Sequence, residues 1–523
     1  MNHDTPANSL QVNKWLITIA VMAGTFMEIV DTTVVNVALP HIAGNLSAGV
    51  DESAWVLTSY LVSNAIILPI TGWLSALFGR KRFLMICLAL FTGSSMLCGA
   101  APNLGLLVFF RVIQGLGGGA LQPISQAILL ETFPVRERGM AMAVWGIGVI
   151  FAPIIGPLMG GWLTDNLSWR WAFYINLPVG LLALVMTALF IFDPPYVRAQ
   201  RAGRIDYWGL ALLSIGLGAL QIVLDKGERE DWFSSAFIVR LAVLAVVALA
   251  VLIYWELKTK EPVVDLRLLK ERNYASGVVL IFFVGFVLYG SVMLLPLFLQ
   301  TLMAYDATTA GWALAYGGVA SLLVMPLVGR LTTMLDNRIL IGVGLVTNAL
   351  AVYLMSLYNL QIDFHTAWWP RFIQGLGLAF VFVPLTTLTM SRISHEKMGN
   401  ATGIFNLLRN LGGSFGIATA TTLLSRRSQF HQNHLVEHVT PLNLPFHDWL
   451  PRAGGLLGAD PAGNYWQAPQ ALAVLYQEVQ RQAQMLAYGD TYWFFTLIFL
   501  ALLPLVLLMR RVGRPPGTVE LSH

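Results

Sequence analysis

The chain has 523 residues, of which 56% are hydrophobic and only 11% are charged. Its mean hydropathy of +0.66 is too high for a soluble protein of this length, because soluble domains need polar surfaces and polar linkers. The net charge of +4 is small and scattered among short loops, so nucleic acid is not an expected partner. The composition predicts an all-α, polytopic membrane protein surrounded by membrane lipids.

Apolar runs of about 20 residues, long enough to cross a bilayer as helices, recur along nearly the whole chain. The first run carries two acids and has no small-residue cleavage site, so it is expected to be a retained span rather than a signal peptide. We predict fourteen spans, near 15–39, 53–77, 84–101, 105–130, 139–163, 171–192, 206–223, 236–257, 275–301, 309–333, 339–357, 368–391, 398–424 and 491–509.

Basic residues are concentrated in every second loop, for example at 80–82 and in the tail at 510–514. Cytoplasmic loops of membrane proteins carry such an excess of Lys and Arg. The pattern therefore predicts that both termini are cytoplasmic. The short loops on the opposite side hold only three basic residues, which are Arg170, Lys226 and Arg229.

An internal repeat is visible, because Arg111-Val-Ile-Gln-Gly-Leu-Gly recurs as Arg371-Phe-Ile-Gln-Gly-Leu-Gly about 260 residues later. This offset predicts two six-helix bundles with a two-helix insert between them. Parallel repeats of this kind imply a central cavity and rocking between two orientations. The expected segments are a first bundle at 1–192, the insert at 193–270, five helices of the second bundle at 271–424, a periplasmic loop with an amphipathic helix at 425–490, and the last span with a cytoplasmic tail at 491–523.

Four motifs occur in the same order as in one transporter family. They are Asp31-Thr-Thr-Val-Val-Asn-Val-Ala-Leu-Pro40, Leu107-x-x-x-Arg111-x-x-Gln114-Gly115, Gly156-Pro157-x-x-Gly160-Gly161, and Trp169-Arg-Trp171 through Asn176-x-Pro178. This series of motifs resembles the major facilitator superfamily, within it the fourteen-helix drug:proton antiporters, and most closely the EmrB-type multidrug exporters.

The resemblance implies a major facilitator fold and proton-coupled efflux of small lipophilic drugs across the inner membrane of a bacterium. It also implies a periplasmic adaptor protein and an outer-membrane channel as partners, and neither a cofactor, nor a metal, nor an enzymatic activity. A surface helix near 467–486 suits the adaptor, although it could equally pack over the outer mouth of the transporter.

The resemblance also suggests which residues control the conformational change. The fifth-span motif, with Gly156, Pro157, Gly160 and Gly161, is expected to seal the outward path against leak. The family usually has an aspartate in the turn before Arg80, where this chain has Ala76. This chain therefore lacks the acid of such a cytoplasmic latch. Arg80 and Asp336 are the predicted gating charges, with Asp336, in the second repeat, the candidate for a role related to that of the missing acid.

Two carboxylates lie inside the first span, and charges in lipid are costly enough that they usually serve a function. Glu28 and Asp31 are three residues apart and share one helical face. Asp31 is expected about 12 Å deep, and Arg111 about 10 Å deep, at 1.5 Å per residue. We predict that both acids gather near Arg111 and carry the proton, with Asp31 the favoured acceptor. The alternative is a fixed structural ion pair.

The second half has no intramembrane acid, but it has an arginine near the middle of the thirteenth span. Arg409 shares a face with Asn406 and Asn410, which predicts that these three residues form a cavity wall that contacts substrate. Glu28 and Gln114 are predicted to contact substrate as well. The alternative is an arginine bonded to backbone carbonyls beside the glycines at 412–413. His431, His434 and His438 have spacing that could hold a metal, but ordinary polar histidines are the simpler interpretation.

Three other functions are compatible with such a chain in principle. A dedicated exporter of one metabolite, siderophore or fatty acid would share every feature above. A membrane-embedded enzyme lacks support, because no Ser/His/Asp set, metal cluster or nucleotide motif lies within the spans. A receptor or scaffold would leave the first-span acids unexplained.

Overall fold

The structure, a computed structural model, describes residues 13–193, 206–259, 262–439 and 469–511. These residues form long helices and contain no strand, which confirms the all-α prediction. We number fourteen helices, counting α4 and α6 as single helices across one short break each: α1 Lys14–Asn45, α2 Trp55–Phe78, α3 Arg80–Ala100, α4 Leu104–Thr132, α5 Arg138–Asn166, α6 Trp171–Phe190, α7 Tyr207–Lys226, α8 Ala236–Lys258, α9 Arg272–Thr301, α10 Ala307–Met334, α11 Asn337–Ser356, α12 Phe364–Thr389, α13 Met398–Glu437 and α14 Pro469–Leu507.

Twelve of these helices contain an apolar stretch long enough to cross a membrane. The other two are α5, whose apolar stretch Arg138–Pro153 is shorter, and α13, which is 40 residues long. Polar residues such as Asn406 and Arg409 lower the hydropathy of α13 while remaining buried inside the protein. The protein therefore crosses a membrane many times, and spans at α5 and α13 remain predictions.

The two halves pair their helices in the same way. In the first half α1 packs on α5 and α6, and α4 packs on α2 and α3. In the second half α9 packs on α13 and α14, and α12 packs on α10 and α11. Helices at equivalent positions of the sequence repeat thus have equivalent neighbours, as the two-bundle prediction requires. The insert helices α7 and α8 pack on each other, and α7 also contacts α2 and α13, one helix from each half.

The lipid-facing surface is most evident on α8. Only 22% of its apolar stretch is buried inside the protein, compared with 72% for α12. Its exposed side chains are large and apolar, which water would disfavour but lipid accommodates. They include Val243, Val246, Val247 and Val251.

The halves touch directly at the end of the bundle where α3 begins, which we call the basic end because Arg80 and Arg138 lie there. A Cβ added to Gly72 of α2 would lie 2.2 Å from the backbone N of Asn400 in α13. A Cβ on Gly139 of α5 would lie 2.8 Å from the carbonyl O of Gly329 in α10. Small residues allow such close backbone approach, so the structure is closed at the basic end.

Helical structure at the opposite end continues past the predicted borders at 424 and 491. Helix α13 runs to Glu437, and α14 already begins at Pro469 and continues into the last span without a break. The predicted amphipathic helix at 467–486 is therefore, in its described part, the first half of α14. Helix–helix contacts hold the two extensions together, with Gln432 Nε2 3.2 Å from Tyr476 Oη. Residues 440–468 lie outside the described part of the chain.

Candidate transport site

An ion pair between α1 and α4 forms the centre of the first half. Asp31 Oδ2 lies 2.7 Å from Arg111 Nη1, and both side chains are fully buried. Removing two charges from water costs several kcal/mol each, so such a pair is stable only when further hydrogen bonds satisfy the remaining groups. The matching depths of these residues in the sequence predicted this contact.

Those further hydrogen bonds come from two amide side chains and one carbonyl. Asp31 Oδ1 accepts from Gln114 Nε2 at 2.9 Å and from Asn176 Nδ2 at 2.7 Å. Arg111 donates from Nη1 to Gln114 Oε1 at 2.8 Å and from Nε to the carbonyl of Val56 at 3.1 Å. Both ends of the Gln114 amide are thus engaged within the ion pair, and its predicted contact with substrate stays a prediction.

Glu28 lies elsewhere than predicted. Its Oε1 accepts hydrogen bonds from Tyr60 Oη and from Asn64 Nδ2, each at 3.1 Å, and its Oε2 accepts from Gln122 Nε2 at 2.6 Å. The prediction that both acids gather at Arg111 is therefore correct only for Asp31. Glu28 is 4% exposed, and all three of its donors are neutral groups.

The amide of Gln122 joins the two halves. While its nitrogen donates to Glu28, its Oε1 accepts a hydrogen bond from Arg409 Nη2 on α13. A second amide contact lies one turn further along the same two helices, where Asn406 Nδ2 donates to Gln126 Oε1 at 2.6 Å. Glu28 of the first half is therefore connected to Arg409 of the second half through a single side chain.

Arg409 contacts side chains rather than the backbone carbonyls of the alternative interpretation. Besides Gln122, its Nη2 is 3.4 Å from Asn410 Oδ1, and its guanidinium carbon lies 5.8 Å from the centre of the Trp145 ring. That ring stacks on Phe382 at 5.6 Å.

Several buried polar atoms around Arg409 have no hydrogen-bond partner among the described residues. They are Nε and Nη1 of Arg409, the indole nitrogen of Trp145 and Oδ1 of Asn406. Buried polar groups are normally paired, so these atoms are the candidate contacts for a ligand or a water molecule. Three of the four are N–H donors, and the flat aromatic pair lies beside them.

The second half contains a copy of the ion-pair site in which a hydroxyl replaces the carboxylate. Arg371 donates from Nη1 to Gln374 Oε1, as Arg111 does to Gln114. Gln374 Nε2 then donates to Ser291 Oγ at 3.0 Å instead of to a carboxylate. The repeat thus preserves the Arg–Gln pair and loses the acid.

The fifth-span glycines differ in their surroundings. A Cβ on Gly156 would lie 1.8 Å from Thr33 Oγ1, and a Cβ on Gly160 would lie 3.1 Å from the backbone of Val34. Gly161 has open space around it, and the side chain of Pro157 lies outside what the structure describes. Gly156 and Gly160 therefore allow α5 to pack closely on α1.

The two predicted gating charges have separate environments. Arg80 forms a buried ion pair with Glu131 at 2.7 Å and donates from Nη2 to the carbonyl of His395, which belongs to the second half, at 3.4 Å. Asp336 instead pairs with Arg338 at 3.0 Å and Arg511 at 2.8 Å, both in its own half. Arg80 thus contributes to contact between the halves, whereas Asp336 stabilises the start of α11.

Sequence reasoning missed the neutral residues that connect these charges. Polarity inside a span was a usable signal for Asn64, Gln122 and Gln126, and Asn176 already stood within a quoted motif. Tyr60 gave no such signal, because tyrosines are common in membrane proteins. In the described residues there is no cluster of three or more potential metal ligands, and His431 contacts Asp490 at 2.7 Å.

Two six-helix bundles with buried charges at their interface are the architecture of a membrane transporter that alternates between two orientations. Residues 21–417 match the family profile of the Major Facilitator Superfamily. The chain therefore belongs to the major facilitator superfamily.

Its similarity to characterised members extends over nearly the whole length. The chain is 39% identical to the multidrug export protein EmrB of Escherichia coli (strain K12), covering 94% of both proteins. It is 36% identical to the fatty acid resistance protein FarB of Neisseria gonorrhoeae, covering 96% of both. The predicted kinship with EmrB-type exporters is thus confirmed.

Solved structures of the superfamily show the same fold. The human organic anion transporter MFSD10 (TETRAN) has a TM-score of 0.59 at 13% identity, over 94% of this chain and 100% of that one. The proton:xylose symporter XylE also has a TM-score of 0.59, at 16% identity, over 95% of this chain and 99% of that one.

Proposed function

We propose that this protein is a proton-coupled multidrug efflux transporter, which exports amphipathic or hydrophobic small molecules by alternating access. Similarity to multidrug export proteins and, at 30% identity, to the colistin resistance protein EmrB of Acinetobacter baumannii supports this function. The observation that carries the mechanism is the connection from Glu28 through Gln122 to Arg409. It couples a titratable acid of one half to a cation of the other.

The proton acts on this connection. Ionised Glu28 attracts Gln122 Nε2, which turns the amide oxygen toward Arg409. A hydrogen bond to a charged acceptor is about twice as strong as a neutral one, so protonation of Glu28 weakens the contact between the halves and favours their separation. Asp31 is engaged by Arg111 and two amides within the first half, whereas Glu28 contacts only neutral donors among the described residues and connects to the second half. Glu28 is therefore the better candidate for the exchanged proton, with Asp31 as its neighbour.

Substrate binding involves the unsatisfied groups near Arg409. Its free N–H groups suit an acidic substrate, whereas Glu28 suits a cationic one, and the stacked rings of Trp145 and Phe382 suit flat apolar bodies. Asn406 and Asn410 complete this wall. Replacing Arg409 with Ala should reduce export of acidic compounds more than of cationic ones, and an equal loss for both would indicate a structural role.

The protein is proposed to reside in the inner, or cytoplasmic, membrane of a bacterium with both termini in the cytoplasm. The basic end is then the cytoplasmic end, in agreement with the distribution of Lys and Arg. The helical extensions of α13 and α14 then project on the periplasmic side, where they are suited to contact an adaptor protein that leads to an outer-membrane channel. A photo-crosslinker at exposed Tyr476 tests this, because crosslinks confined to this chain would contradict adaptor contact.

The second candidate is a dedicated exporter of one metabolite, siderophore or fatty acid. The free N–H groups of Arg409 and the similarity to FarB favour a fatty acid among these. Survival of cells that express the protein, measured against unrelated toxic compounds, separates the candidates, since a dedicated exporter would protect against one chemical class.

Proton release measures the coupling directly. Adding a transported drug to purified protein in weak buffer should release protons, and Glu28→Gln should abolish the release while drug binding persists. A wild-type protein that binds drug without releasing protons, and that exports equally with and without a pH gradient, would refute proton coupling.

A further inference from the structure

A cavity of about 300 Å³ lies at the basic end, where the two halves meet. It lies at the start of α3, the end of α4, the chain that follows α6, and the turn that precedes α13. Its polar lining consists of Arg80, Glu131, Thr132 and His395, of which His395 belongs to the second half. None of these groups takes part in the proton and substrate site described above.

Arg80 lines this cavity, and some of its N–H donors have no acceptor in the described part of the chain. It is 4% exposed, and although Nη2 contacts Glu131 and the carbonyl of His395, its Nε and Nη1 have no partner among the described residues. A guanidinium has five N–H donors in a fixed fork. Nearby, Arg138 is 6% exposed and its Nε also lacks a partner. The donors of this region therefore exceed the acceptors.

The charge balance around the cavity is positive. Two guanidiniums share the carboxylate of Glu131, and burial together with the charges of Arg138 and Arg80 holds the pKa of His395 below its usual value. At the rim, Lys81 Nζ lies 5.1 Å from the centre of the Phe192 ring.

One more acid lies at this rim, but it is already engaged. Asp193 accepts a hydrogen bond from the backbone N–H of Lys81 at 2.8 Å. That donor is neutral, so Asp193 keeps its charge, but the three cations Arg80, Arg138 and Lys81 still outnumber the two carboxylates Glu131 and Asp193 by one. The region is therefore net positive, and an anion fits there.

The rest of the lining is apolar and indicates what kind of anion. Ile128, Ile191 and Phe192 form this side, and Phe192 is 52% exposed. Free phosphate would gain nothing from such a wall. A phospholipid carries its phosphate directly beside apolar chains, and basic pockets between membrane helices bind anionic head groups in this way.

We propose that this cavity binds the phosphate group of an anionic phospholipid from the adjoining leaflet, with Arg80 donating from Nε and Nη1. Because the lining comes from both halves, the lipid binds best when the basic end is closed. A ligand that prefers one conformation increases the population of that conformation. The bound lipid therefore stabilises the state seen in this structure, independently of the proton mechanism.

Thermal unfolding of the full-length protein in detergent tests the proposal. Short-chain phosphatidylglycerol should raise the unfolding midpoint in a saturable way, whereas short-chain phosphatidylcholine and inorganic phosphate should not. Arg80→Gln should lower the apparent affinity for phosphatidylglycerol in this titration at least about tenfold, the loss expected for one charge-assisted pair. Arg82→Gln changes an exposed residue of the same turn and should leave the response unchanged.

A cavity-filling variant covers the case in which Arg80→Gln fails to fold. Thr132→Trp retains every charge but occupies the cavity, so it should also abolish the response to phosphatidylglycerol. Wild-type responses in Thr132→Trp, or equal responses to phosphatidylglycerol and phosphatidylcholine, would overturn the proposal. An equal response to inorganic phosphate would overturn the assignment to a lipid.

Discussion

Asp31 and Ser291 occupy equivalent positions in the two halves. Each accepts a hydrogen bond from the glutamine of the repeated Arg–x–x–Gln motif, from Gln114 Nε2 at 2.9 Å and from Gln374 Nε2 at 3.0 Å. One repeat has therefore retained a buried negative charge where the other has a hydroxyl. This asymmetry supports the proposal that the first half carries the proton chemistry.

Replacing Asp31 with Asn should abolish export driven by a pH gradient. The change leaves Arg111 as a buried charge without its counterion, and breaking one side of such a pair costs about 3–5 kcal/mol. We therefore also expect a lower unfolding midpoint, although the chain should still reach the membrane. Ser291→Asn alters the equivalent position without removing a charge, and it should export normally. Normal export driven by a pH gradient in the Asp31 variant would show that this acid is not needed for proton coupling.

Replacing Gln122 with Leu should reduce export at least about tenfold and abolish proton release by drug. Leucine cannot pair with Glu28 or with Arg409, so both charged groups lose a hydrogen bond worth about 1.5–3 kcal/mol. Gln126→Leu is the matched control, because Gln126 contacts the neutral Asn406 on the same two helices. Equal losses in the two variants would show that general helix contact matters rather than the connection to Glu28.

Replacing Gly156 with Ala should destabilise the first half. The added Cβ would lie 1.8 Å from Thr33 Oγ1, so α1 and α5 must separate, and overpacking of this kind costs about 1–3 kcal/mol. Gly161→Ala provides the control, because nothing lies within 4 Å of its added Cβ. Thermal unfolding in detergent compares the two, and an unchanged midpoint for the Gly156 variant would show that the close approach is not required.

Stability should fall slightly in mild acid because of His395. Its pKa in the folded protein is lowered from 6.5 by burial, Arg138 and Arg80, so the unfolded chain binds the proton more tightly. The contribution of neutral His395 to the free energy of unfolding is therefore complete above about pH 6.5 and is lost as the pH falls below that value. His395 is only partly shielded from solvent, so the effect is small. His395→Gln should reduce the drop in unfolding midpoint between about pH 8 and pH 5, and an undiminished drop would contradict this.

The sequence alone determined that this protein lies in a membrane, that it contains an internal repeat, and which family it belongs to. Apolar runs and repeated motifs depend on residue order, so the all-α fold, the two bundles and most helix bounds could be read directly. The contact of Asp31 with Arg111 was also predictable, because a helix rises a fixed distance per residue and depth in the membrane follows from counting.

Only the tertiary structure decided which groups surround Glu28 and which residues hold the halves together. Depth does not specify how far each helix is rotated or which side chain of a neighbouring helix reaches a given group. Glu28 thus faces Tyr60, Asn64 and Gln122 although it shares a helical face with Asp31. The packing of α4 against α13 likewise brings Gln122 to Arg409, nearly 290 residues away along the chain.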